Sequence, residues 1–196
     1  MRPGKLQKFP SLIEPADRAA RLLSFANLCE LQVLSAIRRE HRVSLQAARK
    51  GVEYLKRKLG GKRPVLDGDL STNGAPVLVQ HLGALIDWSR EAQLAIRGDC
   101  ERALVRIERD RRGAPIRLFP CSRARTELQE QTKVVAVDPM IAFGRPMLAR
   151  VGVKTEVIVG RFNAGDEPAE MAADYGVSEK EILEALRYER RVQPSA

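Results

Sequence analysis

The chain contains 196 residues, of which 44% are hydrophobic, so it is long enough for one large folded domain or two small ones. It has no apolar run of about 18 residues and no apolar core near its N-terminus, which argues against a membrane span or a secretion signal and favours the cytoplasm. The formal net charge of +9 is uneven, because residues 1–66 carry +10, residues 67–130 are neutral and residues 131–196 carry −1.

This composition favours binding over catalysis. A basic block beside neutral ones is expected of a surface that contacts phosphate, although a solvated charged face has the same composition. The chain has no phosphate-binding glycine loop, dinucleotide fingerprint or nucleophile elbow. His41 and His81 lack partners at metal spacing, and Cys29, Cys100 and Cys121 are too scattered for a disulfide framework. We therefore expect no enzyme, no metal and no cofactor.

Residues 1–66 form the first predicted domain, and it begins with a wing. Pro3, Pro10 and Pro15 exclude a long helix before residue 24. Leu12-Ile13 and Arg21–Leu23 are predicted as two short strands around a turn. A basic ribbon of this kind can lie along a DNA backbone, and it can equally be an arm that a partner orders or a frayed terminus.

Two amphipathic helices follow the predicted wing. Ser24 is in the N-cap position of a helix over residues 25–41, and Ser44 caps a second helix that ends at Gly60. Helical spacing indicates these buried positions: Leu28, Leu31, Leu34 and Ile37 in the first helix, and Leu45, Ala48, Val52, Leu55 and Leu59 in the second.

The helix pair resembles the MerR-like regulators over residues 11–59. The matching positions are Phe25, Leu28, Glu30-Leu31, Leu34 and Ile37, then Val43–Gln46, Arg49 and Tyr54-Leu55. Only 24 residues precede Phe25, so the recognition helix of that family has no counterpart; either the start lies upstream or DNA is bound differently. The predicted DNA contacts are Arg2, Lys5, Lys8, Arg18, Arg21, Arg38, Arg39, Arg42, Arg49 and Lys50.

Residues 67–130 form the second predicted domain, a bridge. A small β-hairpin is predicted from residues 76–80 and 82–88, because both runs have β character around His81-Leu82-Gly83. We expect a helix over residues 89–110, a short strand at residues 116–119 and a polar, basic linker at residues 121–133.

Residues 131–196 form the third predicted domain, which has a helix-turn-helix pattern. Ser178 and Glu181 are spaced as a capping box for its last helix. The predicted elements are strands at 134–137 and 147–153, a helix from Thr155 to the stop at Gly165, a short helix at 167–175 and a third helix after Gly176 and Ser178.

The order of motifs in this last third resembles the domain-of-unknown-function family numbered 433. The matching motifs are Val137-Asp138-Pro139, Gly144-Arg145-Pro146, Val153–Ile158, Glu170 with Tyr175–Ser178, and Glu181-Ile182. Many members of that family are encoded beside PIN-like ribonuclease toxins, so the resemblance implies an antitoxin that blocks its toxin sterically or with a basic side chain in the acidic pocket. The predicted toxin or dimer contacts are Phe143, Arg145, Arg150, Val157, Phe162, Tyr175, Ile182 and Leu186.

The charge at the start of the last helix leaves two roles open for the third domain. A DNA-reading helix presents basic or amide groups near its start, whereas this one presents Glu179 and Glu181. A trihelical unit for dimerisation or partner contact is therefore the first interpretation. Direct DNA reading is the second, and its candidate residues are Ser178, Lys180, Arg187, Arg190 and Arg191.

Taken together, the sequence predicts a mainly helical α+β fold with a MerR-like wing and helix pair, a small β-hairpin bridge and a C-terminal unit of strands and three helices. The predicted function is that of an antitoxin in a type II toxin-antitoxin module, which binds a PIN-like ribonuclease toxin and, as a homodimer, operator DNA. A stand-alone transcription regulator and an interaction module that binds no DNA are the alternatives.

Overall fold

The computed structural model describes residues 11–61, 63–66, 78–81, 90–120 and 133–192. Within these ranges the fold is α+β and mainly helical, as predicted, with two small antiparallel sheets of two strands each. In this described part of the chain, no helix is long and apolar enough to cross a membrane.

The two N-terminal helices begin at the serines that the sequence indicated. Helix α1 spans Phe25–His41 and helix α2 spans Leu45–Leu59. The Ser24 hydroxyl accepts the Asn27 backbone N–H at 3.2 Å, and the Asn27 side-chain oxygen accepts the Ser24 backbone N–H at 3.0 Å, so a capping box closes α1. The Ser44 hydroxyl accepts a backbone N–H from the first turn of α2 at 3.1 Å.

The buried face of α1 is rotated from the predicted one. Leu34 and Ile37 are buried as expected, but Leu28 and Leu31 are 40% and 39% exposed. The other buried positions on α1 include Cys29 and Val33. Apolar residues at helical spacing can form stripes on two adjacent faces of one helix. The element that packs against the helix determines which of the two faces is buried.

The predicted β wing is wrong where the structure describes it. Residues 11–24 contain one isolated antiparallel bridge, between Asp17 and Leu22, and no strand. Leu12 and Ile13, expected in the first strand, pack against the core below α1 instead. The Asp17 carboxylate accepts a backbone N–H three residues later at 2.9 Å, which closes a tight turn in place of a ribbon.

A third helix and a β-hairpin follow. Helix α3 spans Arg90–Val105, strand β1 spans Ile107–Arg109, and the antiparallel strand β2 spans Pro115–Leu118. The helix predicted through residue 110 ends at Val105, because the next residues pair as a strand with β2. The Asp110 carboxylate accepts two backbone N–H groups of the turn that follows β1, both at 2.9 Å. We call this turn, residues 110–114, the hairpin tip.

The hairpin predicted between residues 76 and 88 is wrong at the positions that the structure describes. Residues 78–81 are helical there, because Leu78 and Val79 are buried in the core that α1 and α3 share. The His81 ring stacks on Tyr54 of α2 at a centroid distance of 3.9 Å. The other residues of that prediction lie outside the described ranges, as do residues 121–132 of the predicted linker.

The last third follows the predicted order of elements. Its two strands pair antiparallel, as expected, but each is only two residues long. Gly165 and Gly176 adopt left-handed backbone angles at the ends of the first two helices, as the sequence predicted. The elements are β3 (Val135–Ala136), β4 (Met147–Leu148), α4 (Thr155–Ala164), α5 (Pro168–Tyr175) and α6 (Glu179–Val192).

Two cores organise the described chain, with a smaller cluster between them. The first core joins α1, α2, α3 and the β1–β2 hairpin, so it contains side chains from both of the first two predicted domains. The second core joins α4, α5 and α6 with Leu148 of β4. Phe119, Ala136 and Met147 form the smaller cluster.

Backbone pairing connects the first core to the C-terminal unit. Leu118 and Val137 exchange two hydrogen bonds of 2.9 and 2.8 Å, so β2 continues beside the end of β3. Next to this bridge, Arg117 contacts the carboxylate of Asp138 at 3.0 Å. The chain immediately after β3 is therefore attached to the hairpin of the first core.

Candidate functional site

The connection between β3 and β4 is an ordered turn, residues 138–146, which we call the exposed loop. The Asp138 carboxylate accepts the Met140 backbone N–H at 2.9 Å, and its carbonyl accepts the Ile141 N–H at 3.1 Å. The Ile141 carbonyl in turn accepts the Gly144 N–H at 3.1 Å. These successive bonds give the exposed loop one defined conformation.

Two large apolar side chains of the exposed loop face solvent. Phe143 is 95% exposed and Met140 is 89% exposed. Phe143 and Ala142 have left-handed φ angles of 55° and 50°, which cost roughly 1–2 kcal/mol for each L-residue. Leaving a phenylalanine side chain in water forgoes roughly 1.5–3 kcal/mol of burial. A strained, ordered turn with apolar side chains at the surface is typical of a binding site.

An ion pair holds the base of the exposed loop. The Nε and Nη2 atoms of Arg117 lie 3.2 and 3.0 Å from one carboxylate oxygen of Asp138, which is only 8% exposed. The other carboxylate oxygen accepts the Met140 N–H. Arg117 is 29% exposed, so the pair is partly screened by solvent, and Asp138 both anchors and shapes the exposed loop.

The predicted toxin or dimer contacts separate into surface and core positions. Phe143, Val157 and Phe162 are exposed, the latter two by 43% and 36%. Ile182 and Leu186 were expected at the same contact, but they are 0% and 7% exposed. They belong to the second core, because the apolar stripe of α6 packs inward against α4 and α5. These two residues are therefore unavailable to a partner.

The remaining predicted contacts interact within the chain. Arg145 forms an ion pair of 2.5 Å with Glu156 on the surface of α4. Arg150 donates to the backbone carbonyl that follows α5. The Arg161 guanidinium lies 5.2 Å from the centroid of the half-buried Tyr175 ring and covers it. Of these predicted contacts, Arg145 is the one that adjoins Phe143 in the exposed loop.

The start of α6 contains a capping box. The Ser178 hydroxyl accepts the Glu181 backbone N–H at 3.3 Å, and the Glu181 carboxylate accepts the Ser178 backbone N–H at 2.8 Å, which confirms the predicted capping box. The bond from the Ser178 N–H is the main cause that lowers the pKa of Glu181, so this carboxylate is ionised at neutral pH. Glu179 adds a second carboxylate, whereas Lys180 and the Arg150 that pairs with Glu181 carry the opposite charge, so the start of α6 is close to neutral.

The four described members of the second set of predicted DNA contacts all lie at the surface. Ser178 serves as the helix cap, and Arg187 forms an ion pair of 3.6 Å with Glu184. The other two are Lys180 and Arg190. The side chain of Arg191 lies outside the described part of the chain.

The first set of predicted DNA contacts divides into three groups. Arg49 is half-buried. The exposed members are Arg18, which pairs with Glu14 at 3.4 Å, and Arg21, Arg38, Arg42 and Lys50. Those outside the described part of the chain are Arg2, Lys5, Lys8 and the side chain of Arg39.

The hairpin tip adds two exposed basic residues that the sequence prediction missed. Arg111 and Arg112 lie there, and Arg109 donates to the Gly113 carbonyl at 3.0 Å, which supports the turn. Asp110 before the two arginines and Gly113 after them are turn signals, and they would have identified this hairpin. The prediction ended a helix at Asp110 and gave the two arginines no role.

Exposed basic groups therefore lie at two places outside the C-terminal unit. Arg38 and Arg42 are at the C-terminal end of α1, and Arg111 and Arg112 are at the hairpin tip.

The two described cysteines are poor nucleophiles. Cys29 and Cys100 are fully buried, and burial raises the pKa of each thiol to about 12. Both are therefore protonated at neutral pH. Within the described ranges, no three His, Cys, Asp or Glu side chains gather into a group that would hold a metal ion.

Comparison with known proteins identifies the C-terminal segment. The family described as "Protein of unknown function (DUF433)" matches residues 135–188, which contain β3, the exposed loop, β4 and α4 to α6. This finding confirms the C-terminal resemblance.

Most of the chain also resembles a solved structure. The crystal structure of Rv2018 from Mycobacterium tuberculosis is similar to this chain with a TM-score of 0.62 and 24% sequence identity. The similarity covers 84% of this chain and 78% of that protein, and at this identity it is a likeness of fold. No curated protein matches the sequence.

Proposed function

We propose that this protein is a cytoplasmic antitoxin that binds and neutralises a PIN-like ribonuclease toxin encoded nearby, without catalytic activity of its own. The observation that carries the proposal is the exposed loop, which presents Phe143 and Met140 to solvent. This loop lies within the segment that matches the DUF433 family. The partner class comes from the resemblance, because many members of that family are encoded beside such toxins.

The physical argument is that an aromatic side chain on an ordered turn binds a partner at low entropic cost. Aromatic residues and methionine are enriched at protein interfaces, and a few such anchors carry most of the binding energy. The hydrogen bonds of the exposed loop fix its backbone before binding, so little ordering remains to be done. Burial of Phe143 would contribute roughly 1.5–3 kcal/mol.

Arg145 is the proposed electrostatic contact. It adjoins Phe143 in the exposed loop, and its side chain is 59% exposed. Its pair with Glu156 lies at the surface, where such pairs contribute roughly 0–1 kcal/mol, so a toxin carboxylate can replace Glu156 at little cost. A guanidinium placed in the acidic, metal-binding pocket of a PIN-like toxin would neutralise it, and steric blocking by Phe143 is the alternative.

Co-purification with the product of the adjacent gene tests this proposal. The wild-type chain is expected to form a stable complex, and the double substitution Met140→Ser with Phe143→Ser is expected to weaken it at least tenfold, which is about 1.4 kcal/mol. Val105→Ser is the matched control, because Val105 is 69% exposed but lies at the end of α3. Absence of a complex, or equal affinity of the loop variant and the control, would contradict the proposal.

We further propose that the antitoxin forms a homodimer on operator DNA. Leu22 and Leu23 are 60% and 57% exposed immediately before α1, and Leu28 and Leu31 are exposed on α1 itself. A second copy of the chain would cover these apolar side chains. Two-fold symmetry would also match a palindromic operator.

A stand-alone transcription regulator is the second candidate function. The exposed arginines at the end of α1 and at the hairpin tip favour it, because exposed basic side chains are the groups that contact the phosphates of a duplex. Charge reversal at Arg38 and Arg42 is expected to weaken binding to the chain's own promoter DNA in a gel shift more than reversal at Arg190. Equal effects would mean that DNA is not bound at this surface.

The two experiments together separate the candidates. A toxin complex together with promoter binding supports the antitoxin, whereas promoter binding without a toxin complex supports the stand-alone regulator. A chain that binds a protein partner but no DNA would be an interaction module. Affinity for DNA in the first two cases should fall steeply with salt, because the contacts are mainly to phosphate.

A further inference from the structure

A groove of about 480 Å³ lies between the open end of the β3–β4 hairpin and the start of α6, and we call it the hairpin groove. Its apolar lining includes Phe119, Val134 and Ala149. Val134 and Ala149 flank the paired strands on the side away from the exposed loop, so the hairpin groove is a separate surface. Its size falls within the roughly 300–1,000 Å³ that is usual for ligand sites.

The charged lining of the hairpin groove is positive. Arg150 and Glu181 both line it, but they lie 3.4 Å apart and offset each other. Lys133 and Lys180 line it as well, and both are exposed. The Lys133 ammonium lies 4.9 Å from the centroid of the Phe119 ring, which places one positive charge beside the apolar lining. The four charged side chains sum to +2.

These features favour a peptide over a nucleic acid. Phe119 is only 4% exposed and Lys133 covers its ring, so bases have no aromatic face on which to stack. The lining between the two lysines is apolar, and a phosphate backbone has no apolar group to place on it. A peptide can instead place an apolar side chain on the lining and a carboxylate near each lysine.

We propose that the hairpin groove binds a short acidic segment of a partner protein, with one or two apolar side chains on the Phe119, Val134 and Ala149 surface and flanking carboxylates at Lys133 and Lys180. The complementary charges identify this ligand. The proposal goes beyond the toxin contact at the exposed loop, and it stands whether or not the partner is a toxin. Such a site gives the C-terminal unit a second, charge-selective contact.

The experiment is a titration of the full-length, ¹⁵N-labelled chain with a defined probe, followed by NMR. The probe is a capped hexapeptide with a Leu-Phe pair between two glutamates on each side, and its control replaces the glutamates with lysines. The acidic peptide is expected to shift the backbone signals of Val134, Ala149 and Lys180 but not that of Phe143. The basic peptide is expected to shift none of them.

Charge-reversal variants locate the binding. The double substitution Lys133→Glu with Lys180→Glu is expected to lower the affinity for the acidic peptide at least tenfold. Both lysines are exposed, so the fold should tolerate the change. Arg57→Glu with Lys58→Glu changes the net charge equally on α2, away from the hairpin groove, and is expected to bind the acidic peptide like the wild type.

Three results would overturn the proposal. One is the absence of shifts at a peptide concentration of about 1 mM, at the weak end of specific binding. Another is equal binding by the two charge-reversal variants. The third is that a short DNA duplex shifts the same signals as the acidic peptide, which would assign the hairpin groove to nucleic acid. None of these results depends on the neighbouring gene, so a failed toxin complex at the exposed loop remains a separate outcome.

Discussion

Replacing Phe143 with glycine is expected to stabilise the free protein while it weakens the complex with a partner. Phe143 has a φ angle of 55° and a side chain that is 95% exposed. A side chain at this backbone angle is strained, whereas glycine adopts the angle freely. The ring contributes almost no burial in the free chain, so its loss removes little stabilisation.

The expected gain can be worked from these two observations. Relief of the left-handed strain contributes roughly 1–2 kcal/mol, and the greater freedom of glycine in the unfolded chain costs roughly 0.5–1 kcal/mol. The net increase in the free energy of unfolding is about 0.5–1 kcal/mol. For a chain of this length, that corresponds to a rise in Tm of roughly 1–4 °C.

A series of three substitutions separates strain from burial in a urea or thermal denaturation assay. Phe143→Ala keeps the Cβ atom and the strain, so its stability should stay close to that of the wild type. Phe143→Asn should fall between alanine and glycine, because asparagine tolerates the left-handed region better than most residues. All three should weaken partner binding alike, since all lose the ring. If glycine and alanine both destabilise the chain by more than about 1 kcal/mol, the ring is packed and the reasoning is refuted.

Three further outcomes are expected. Reversing the charges of Arg111 and Arg112 should make the affinity for operator DNA less dependent on salt. The slope of log affinity against log salt concentration should become about 1.8 units shallower, because each lost phosphate contact accounts for roughly 0.9. An unchanged slope would place the hairpin tip away from DNA. Replacing Leu28 and Leu31 with glutamate should convert the proposed dimer to a monomer, so the mass measured by light scattering should halve. The helical signal in circular dichroism should not change. A persistent dimer would place the interface elsewhere. Folding lowers the pKa of Glu181, so its ionised carboxylate stabilises the folded chain. This stabilisation is present above the ordinary pKa of 4.5 and is lost as the pH falls through the lower pKa of the folded chain. Glu181→Gln should flatten that part of the curve of stability against pH, and an unaltered curve would contradict the assignment.

Local signals predicted the helices well, because each depends on residues that are close in sequence. Ser24, Ser44 and Ser178 cap the helices that the sequence assigned to them. Gly165 and Gly176 end the helices where left-handed caps were expected. A cap requires only a hydroxyl three residues before an amide, or a residue without Cβ at a helix end, so the sequence carries this information directly.

Tertiary packing decided the features that the sequence misassigned. Leu28 and Ile182 have the same apolar spacing along their helices, yet Leu28 is 40% exposed and Ile182 is fully buried. Spacing alone does not show which stripe a neighbouring element covers. The segment around Leu78 has β character but is helical, because its apolar side chains fill the core under α1. Burial against distant residues outweighed local propensity there.

The exposed loop was recognised by its motifs, but its conformation was not predictable from them. Asp138-Pro139 and Gly144-Arg145-Pro146 mark turns, and both turns are present. Nothing in those motifs requires the non-glycine residues Ala142 and Phe143 to adopt left-handed angles. That conformation depends on the hydrogen bonds of Asp138 and on Arg117, which lies more than twenty positions earlier in the chain.

The position of Arg117 bears on how one chain could combine toxin binding with DNA binding. Strand β2 begins at the hairpin tip, where Arg111 and Arg112 are exposed, and Arg117 near its other end holds Asp138 at the base of the exposed loop. The proposed toxin contact and one of the proposed DNA contacts therefore lie at opposite ends of one short strand. At the start of α6, Lys180 and Arg150 balance Glu179 and Glu181, so this helix end offers DNA no excess of positive charge, whereas the hairpin tip does. This difference in charge is the physical reason for proposing that the helix-turn-helix pattern binds a partner rather than reads DNA.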